Sequence, residues 1–176
     1  MNKYDLNNMH TIGDKKIFFD ANILLYLFWS THLTWQARYS QVYNKLIQQN
    51  TKFTIHFVVI SEFVNRVMKI EYNNYLTTNG LTSQSYNYKQ YRDSTEGQDA
   101  QNDIYTLVKA KIINDFEIVD TGIYQKEIES MLVIDSLDFS DKLIVNLCKD
   151  NGFVLLTNDS DFKNSGIDIL TLNNKI

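Results

Sequence analysis

The chain has 176 residues, a usual length for one domain. Hydrophobic residues make up 44% of it and charged residues 22%, which excludes a wholly disordered chain and a collagen-like repeat. The net charge of -4 disfavours a protein that holds nucleic acid mainly through a basic surface. If the chain binds RNA or DNA, the phosphate charge must be offset locally, and a divalent metal ion is one candidate.

Metal sites built on cysteine or histidine are disfavoured by the composition. The single cysteine, Cys148, excludes an internal disulfide and a cysteine-built zinc site, and the three histidines share no ligand-like spacing. Residues 1–16 are polar and lack the apolar segment of a signal peptide, and the longest apolar run, 23–29, is too short to cross a bilayer. We therefore expect a cytoplasmic protein without membrane contact.

Short apolar runs predict strands, and segments with helical spacing of apolar residues predict helices between them. In chain order the pattern predicts a strand over 16–19, a helix over 21–29, a helix from Thr34, a strand over 53–59, a helix from Ile60, a helix over 104–112, a strand over 116–119, a helix over 123–132, a helix over 138–149, and strands over 153–156 and 167–172.

Strands that alternate with helices indicate right-handed crossovers and a mainly parallel sheet. We predict one α/β domain over 1–176, with three α/β/α layers and a central sheet of four to five strands. In such sheets ligands bind at the carboxyl ends of the strands, which directs attention to the residues that follow each strand.

Residues 73–103 differ from the rest of the chain because they are rich in Asn, Thr, Ser, Gln and Tyr. We predict a polar surface insertion within the domain, with a short helix over about 86–92. Its tyrosines, together with Lys89 and Arg92, could stack on unpaired RNA bases. The alternative is a solvated loop or a contact between two copies of the chain.

Acidic residues follow the predicted strands. Asp20 ends the first strand, Glu62 lies early in the helix after the second, Asp159 follows the fourth, and Asp141 lies near the start of the helix that leads into that fourth strand. Gathered carboxylates repel one another unless a cation is present, and their oxygen ligands suit Mg²⁺ or Mn²⁺. Such an ion can activate a water molecule and offset the charge of a phosphodiester.

Each of these acids also has a purely structural interpretation. The alternatives are a helix cap for Asp20 assisted by Asn22, an ion pair with Arg66 for Glu62, a capping box for Asp138 and Asp141, and turn hydrogen bonds for Asp159 and Asp161. Asp141 shares a helical register with Ile144 and Cys148, so its side chain is expected to point towards the sheet.

Four segments resemble the motifs of the PIN domain family. Residues 18–24 (FFDANIL) resemble its opening, 60–63 (ISEF) its second acidic motif, 137–144 (LDFSDKLI) its third and 154–162 (VLLTNDSDF) its fourth. The resemblance extends from about residue 16 to about residue 172. It implies metal-binding roles for Asp20, Glu62, Asp141 and Asp159, with Asp161 as a further candidate, and supporting roles for Asn22 and Thr157.

PIN domains are metal-dependent ribonucleases, and many are VapC-type toxins of bacterial toxin–antitoxin pairs. The resemblance therefore implies an endoribonuclease that uses Mg²⁺ or Mn²⁺, with RNA as substrate, an antitoxin protein as partner and a homodimer as a candidate assembly. Compact VapC toxins are shorter than this chain, and relative to them the 73–103 segment resembles an insertion. The alternatives are a non-catalytic PIN-like module that binds RNA or acts as a scaffold, and a haloacid-dehalogenase-like phosphatase, which would need an aspartate where this chain has Asn22.

Overall fold

The structure, a computed structural model, describes residues 1–29, 32–120 and 125–176. The strands in these ranges are β1 (Lys3–Tyr4), β2 (Ile17–Phe19), β3 (Phe53–Ile55), β4 (Glu117–Ile118), β5 (Val154–Leu156) and β6 (Asp168–Leu170). The α-helices are α1 (Ala21–Phe28), α2 (Leu33–Gln48), α3 (Phe57–Thr78), α4 (Tyr88–Asp93), α5 (Thr95–Leu107), α6 (Gln125–Met131) and α7 (Phe139–Asn151). A π-helical turn (Val108–Ile113) continues α5, and Ser160–Asn164 forms a short 3₁₀ helix.

All strand pairs are parallel, and the sheet order is β1-β6-β5-β2-β3-β4. The residues of β2, β3 and β5 are all buried, as expected for parallel strands that helices cover on both faces. The ring of Phe19 packs edge-on against those of Phe53 and Phe116, with centroid distances of 5.0 and 4.8 Å. The central strands therefore form the core of a three-layer α/β/α fold.

The prediction of a mainly parallel sheet is confirmed, but the described residues contain six strands, more than the four to five predicted. The additional strand, β1, is two residues long and pairs with β6 at the sheet edge. The backbone amide of Asn2 supports this pairing by donating to the Asp168 carboxylate at 2.6 Å. A strand this short has no apolar run of its own, so periodicity could not reveal it.

The strand predicted over 53–59 is wrong in its second half, because β3 ends at Ile55 and α3 begins at Phe57. His56 caps the helix through its Nδ1 atom, which accepts from the Val58 amide at 3.2 Å. The β-branched pair Val58-Val59 favours a strand locally, but Val59 is fully buried in the helical conformation. Tertiary packing overrides the local propensity here.

The segment 73–103 is mostly helical, because α3 continues to Thr78 and is followed by α4 and α5. The short helix predicted near 86–92 corresponds to α4, which begins with a capping box between Asn87 and Gln90. Both α4 and α5 lie against α3. Polar composition was therefore a poor guide to secondary structure in this segment.

The helix predicted over 123–132 is seen in part as α6, and Ile123 and Tyr124 lie outside the described residues. Cys148 is a free, buried thiol. Within the described ranges, no helix is both long enough and apolar enough to cross a membrane.

Candidate active site

Asp20 lies directly after β2, where its backbone amide donates to the Leu156 carbonyl of β5 at 3.1 Å. Its side chain is only 6% exposed. The Oδ2 atom accepts from the Thr157 hydroxyl at 2.6 Å and from the Asn22 side-chain amide at 2.7 Å. Asp20 holds the N-cap position of α1, but its side chain makes no capping hydrogen bond, so the capping alternative is wrong. Two short bonds instead fix the carboxylate at the carboxyl end of the sheet.

Thr157 and Asn22 connect Asp20 to the loop that carries Asp159. The Thr157 hydroxyl, which is fully buried, accepts from the Asp159 amide at 2.9 Å. The Asn22 side-chain oxygen accepts from the Asn158 amide at 3.3 Å. The supporting hydrogen bonds expected for Asn22 and Thr157 are thus present, and they join the end of β5 to the start of α1.

A second layer of hydrogen bonds holds Asn158, which the sequence analysis missed. The buried Tyr39 hydroxyl donates to the Asn158 side-chain oxygen at 2.8 Å, and the Leu172 amide donates to that hydroxyl at 3.2 Å. The Asn158 side-chain amide donates to the Tyr26 hydroxyl at 3.3 Å. In sequence, Tyr39 showed only the spacing of a core residue, and its partner lies 119 residues away.

Glu62 lies early in α3, and Arg66 follows it one turn later. The Arg66 Nη2 atom lies 2.7 Å from the Glu62 Oε1 atom, so the predicted ion pair is present. The Glu62 charge also raises the pKa of Asp20. Glu62 is therefore paired with a cation and is still electrostatically part of the acidic edge.

Asp141 lies in the first turn of α7 and is partly buried. Ile144 and Cys148, which share its side of the helix, are almost completely buried, as the helical register predicted. Asp138 occupies the N-cap position, but its side chain makes no capping hydrogen bond. The predicted capping box between Asp138 and Asp141 is therefore wrong, and the Asp141 carboxylate is not used to close the helix end.

Burial and neighbouring negative charges raise the pKa values of Asp20 and Asp141. Burial, together with the charges of Asp20, Asp159 and Glu62, raises the pKa of Asp141 to about 7. Burial also raises the pKa of Asp20 to about 6, with contributions from Glu62 and Asp159 and an opposing one from the Thr157 hydrogen bond.

The remaining candidates lie apart from this group. Asp161 is exposed on the 3₁₀ helix, where its amide donates to the Asp159 side chain at 3.1 Å, and its charge is not among those that shift Asp20 and Asp141. Lys89 and Arg92 are exposed on α4, and Arg92 pairs with Asp93 at 2.8 Å.

The tyrosines near Lys89 and Arg92 pack on one another rather than facing solvent freely. The ring of Tyr91 lies 5.7 Å from that of Tyr72 and 5.2 Å from that of Tyr75, and Tyr72 and Tyr91 are buried. These contacts bury two of the rings within the fold, which disfavours their stacking on RNA bases and also differs from the solvated loop given as the alternative.

The chemistry of the donor set suits a hard divalent cation, because it consists of carboxylates whose mutual repulsion a cation would relieve. Across residues 1–29, 32–120 and 125–176, no group of three or more acidic, histidine or cysteine side chains is close enough together to hold a metal ion. One of the acids, Glu62, is turned to Arg66. The group is thus a set of interacting carboxylates whose side chains would have to adjust to share an ion.

The comparisons with known proteins agree on the fold. The structure of VapBC2 from Rickettsia felis bound to a DNA fragment from their promoter matches with a TM-score of 0.50 and 17% identity, over 88% of this chain and 97% of that one. The structure of PAE2754 from Pyrobaculum aerophilum matches with a TM-score of 0.52 and 15% identity, over 94% and 89%. A comparison with curated proteins finds no match. The model of the PIN domain family matches residues 17–167, and the chain therefore belongs to the PIN domain family.

Proposed function

We propose that this protein is a metal-dependent endoribonuclease that hydrolyses RNA phosphodiester bonds, and that it is the toxin of a VapBC-type pair. PIN domains are typically nucleases that use divalent metal ions. The observation that carries the proposal for this chain is that the buried Asp20 carboxylate is joined through the Thr157 hydroxyl to the backbone of Asp159. Burial and the charges of Glu62 and Asp159 also raise the pKa values of both Asp20 and Asp141, and the four acids come from four separate segments of the sequence. Burying and gathering acids in this way costs stability, and a cation shared among them explains why they are there.

The same four residues would hold Mg²⁺ or Mn²⁺, with Asp161 as an additional candidate. Such an ion, when bound, offsets charge on the scissile phosphate and lowers the pKa of a coordinated water. The protein's own contribution is orientation: Thr157 and Asn22 both donate to one oxygen of Asp20 and so fix the plane of its carboxylate. The Thr157 hydroxyl also accepts from the backbone amide of Asp159, which fixes the position of Asp159 relative to Asp20.

The partner that we propose is an antitoxin protein, because the Rickettsia felis neighbour is a VapBC2 assembly bound to promoter DNA. A homodimer is the proposed assembly of the chain itself, and the cytoplasm is its proposed location. RNA is the proposed substrate.

Cleavage of RNA by purified variants tests the proposal. We expect Asp20→Asn and Asp159→Asn each to lower cleavage in Mg²⁺ or Mn²⁺ by roughly 100-fold or more, since each removes a negatively charged ligand. Asp99→Asn, an identical change on the exposed surface of α5, should cleave as the wild type does. Wild-type rates in both site variants would contradict the nuclease proposal.

A further inference from the structure

One face of α3 forms a cleft beside the acidic edge. The cleft has a volume of about 450 Å³. It is lined by Phe57, Ser61, Glu62, Arg66 and Lys69 of α3 and by Ser140 at the start of α7. We call it the α3 cleft. Its volume lies within the range of roughly 300–1,000 Å³ that is typical of ligand sites.

The α3 residues of the cleft form a stripe along the helix, because Phe57, Ser61 or Glu62, Arg66 and Lys69 follow one another at intervals of three to five residues. At 1.5 Å per residue, the stripe from Phe57 to Lys69 is about 18 Å long. Glu62 lies between the two ends. The cleft thus passes the proposed catalytic edge and continues in both directions, as a site for an extended chain would.

Phe57 supplies an aromatic surface at one end of the cleft. It is the first residue of α3, and it is 68% exposed. In the part of the chain that the structure describes, its ring has no aromatic or cationic neighbour. Core packing therefore does not account for this ring, whereas an open aromatic face in the same cleft as cations can stack on a nucleic-acid base.

Lys69 and Arg66 supply positive charge along the same face. Lys69 is exposed, and it has no hydrogen bond or ion pair with any described residue. Arg66 gives one nitrogen to Glu62 at 2.7 Å, and a guanidinium carries further N–H donors. In a chain of net charge -4, these two cations lie next to the site where a polyanion would have to bind.

We propose that the α3 cleft binds an unpaired RNA segment that flanks the cleaved bond, with Phe57 stacked on a base and Lys69 and Arg66 bound to phosphates. The inference rests on the nuclease function proposed above. It makes the protein selective for single strands, because a base inside a double helix has no free face for Phe57.

Binding is best measured without cleavage, in the full chain carrying Asp20→Asn. The probe is a short fluorescent single-stranded RNA of mixed sequence, followed by anisotropy, and the same RNA annealed to its complement. We expect Phe57→Leu, which keeps an apolar side chain but removes the ring, to weaken single-strand binding about tenfold. Tyr105→Leu, at an exposed aromatic position on α5, should leave binding unchanged.

The cation is tested in the same background. Lys69→Gln should weaken binding several-fold and lower the slope of log affinity against log salt by about one unit, since one phosphate contact is lost. Lys109→Gln, at another exposed lysine, should change neither the RNA affinity nor the salt slope. The duplex should bind more weakly than the single strand in every protein that retains Phe57.

Unchanged single-strand affinity in both Phe57→Leu and Lys69→Gln would overturn the proposal, as would equal affinity for single strand and duplex. If Phe57→Leu changes the oligomeric state by light scattering and leaves RNA affinity unaltered, the cleft contacts protein and the proposal also fails. Metal-dependent cleavage by the wild type separates the two proposals. If the chain cleaves RNA but binds it independently of Phe57 and Lys69, only the proposal for the cleft fails. If it binds RNA through the cleft but does not cleave it, only the proposal of a nuclease fails.

Discussion

The two ends of α3 have different chemistry. Its second half packs against α4, where the Tyr72 hydroxyl donates to the Tyr86 carbonyl at 2.6 Å and the Tyr75 ring lies 5.2 Å from that of Tyr91. Its first half carries the exposed Phe57 and Glu62, whose charge contributes to the raised pKa values of Asp20 and Asp141. Just past the midpoint lies Lys69, which is exposed and has no partner among the described residues. One face of α3 is thus covered by α4 in the second half of the helix and open to solvent in the first half, which is typical of a helix that supports a site at one end.

The largest effect on stability is expected where α4 and α5 meet. A Cβ atom on Gly97 would lie 1.9 Å from the Tyr91 carbonyl oxygen, which is backbone and cannot move aside easily. Alanine gains about 1 kcal/mol of helix propensity over glycine, but the clash outweighs it. We expect Gly97→Ala to lower the free energy of unfolding by about 3 kcal/mol, measured by urea denaturation.

Asp99→Ala is the matched control, because it adds alanine at an exposed position of the same helix and should change stability by less than about 0.5 kcal/mol. A Gly97→Ala protein as stable as the wild type would show that α4 and α5 are not held this closely.

A smaller effect on stability, and one that increases it, is expected from a substitution at the acidic edge. The pKa of Asp141 rises from 3.8 to about 7 on folding, so the folded state binds more protons between these values. Stability is therefore lost as the pH rises from 4 to 7. In a chelator, Asp141→Asn should be more stable than the wild type at pH 8 by about 1 kcal/mol, discounted for partial exposure, or about 2–4 °C in Tm.

The difference between Asp141→Asn and the wild type should vanish below about pH 4, where both forms are neutral at this position. Asp99→Asn should show no such pH-dependent difference. If Asp141→Asn is less stable than the wild type at pH 8, burial and neighbouring charge do not destabilise the Asp141 carboxylate as described.

The sheet and the acidic edge could be predicted from the sequence for one reason. Central parallel strands are continuous apolar runs, and the residue that follows each run marks the same edge of the sheet. Asp20 after β2 and Asp159 after β5 could therefore be placed together before the structure was known.

Other features depend on distant or non-periodic contacts. The edge strand β1 is defined only by its partner β6, and β3 ends early because Val59 packs in the core as part of a helix. The bond from Tyr39 to Asn158 joins residues 119 apart, and neither residue type signals it. In α4 and α5, helix formation depends on capping and on packing against α3, which polar composition conceals.

The central claim, that four acids share one cation, is tested most directly by calorimetric titration of Mn²⁺ into the metal-free protein at pH 7.5. The account predicts saturable binding to the wild type and to Asp99→Asn, and loss of most of that binding in Asp20→Asn and in Asp159→Asn. No heat of binding at millimolar Mn²⁺, or equal binding by the wild type and both site variants, would contradict it.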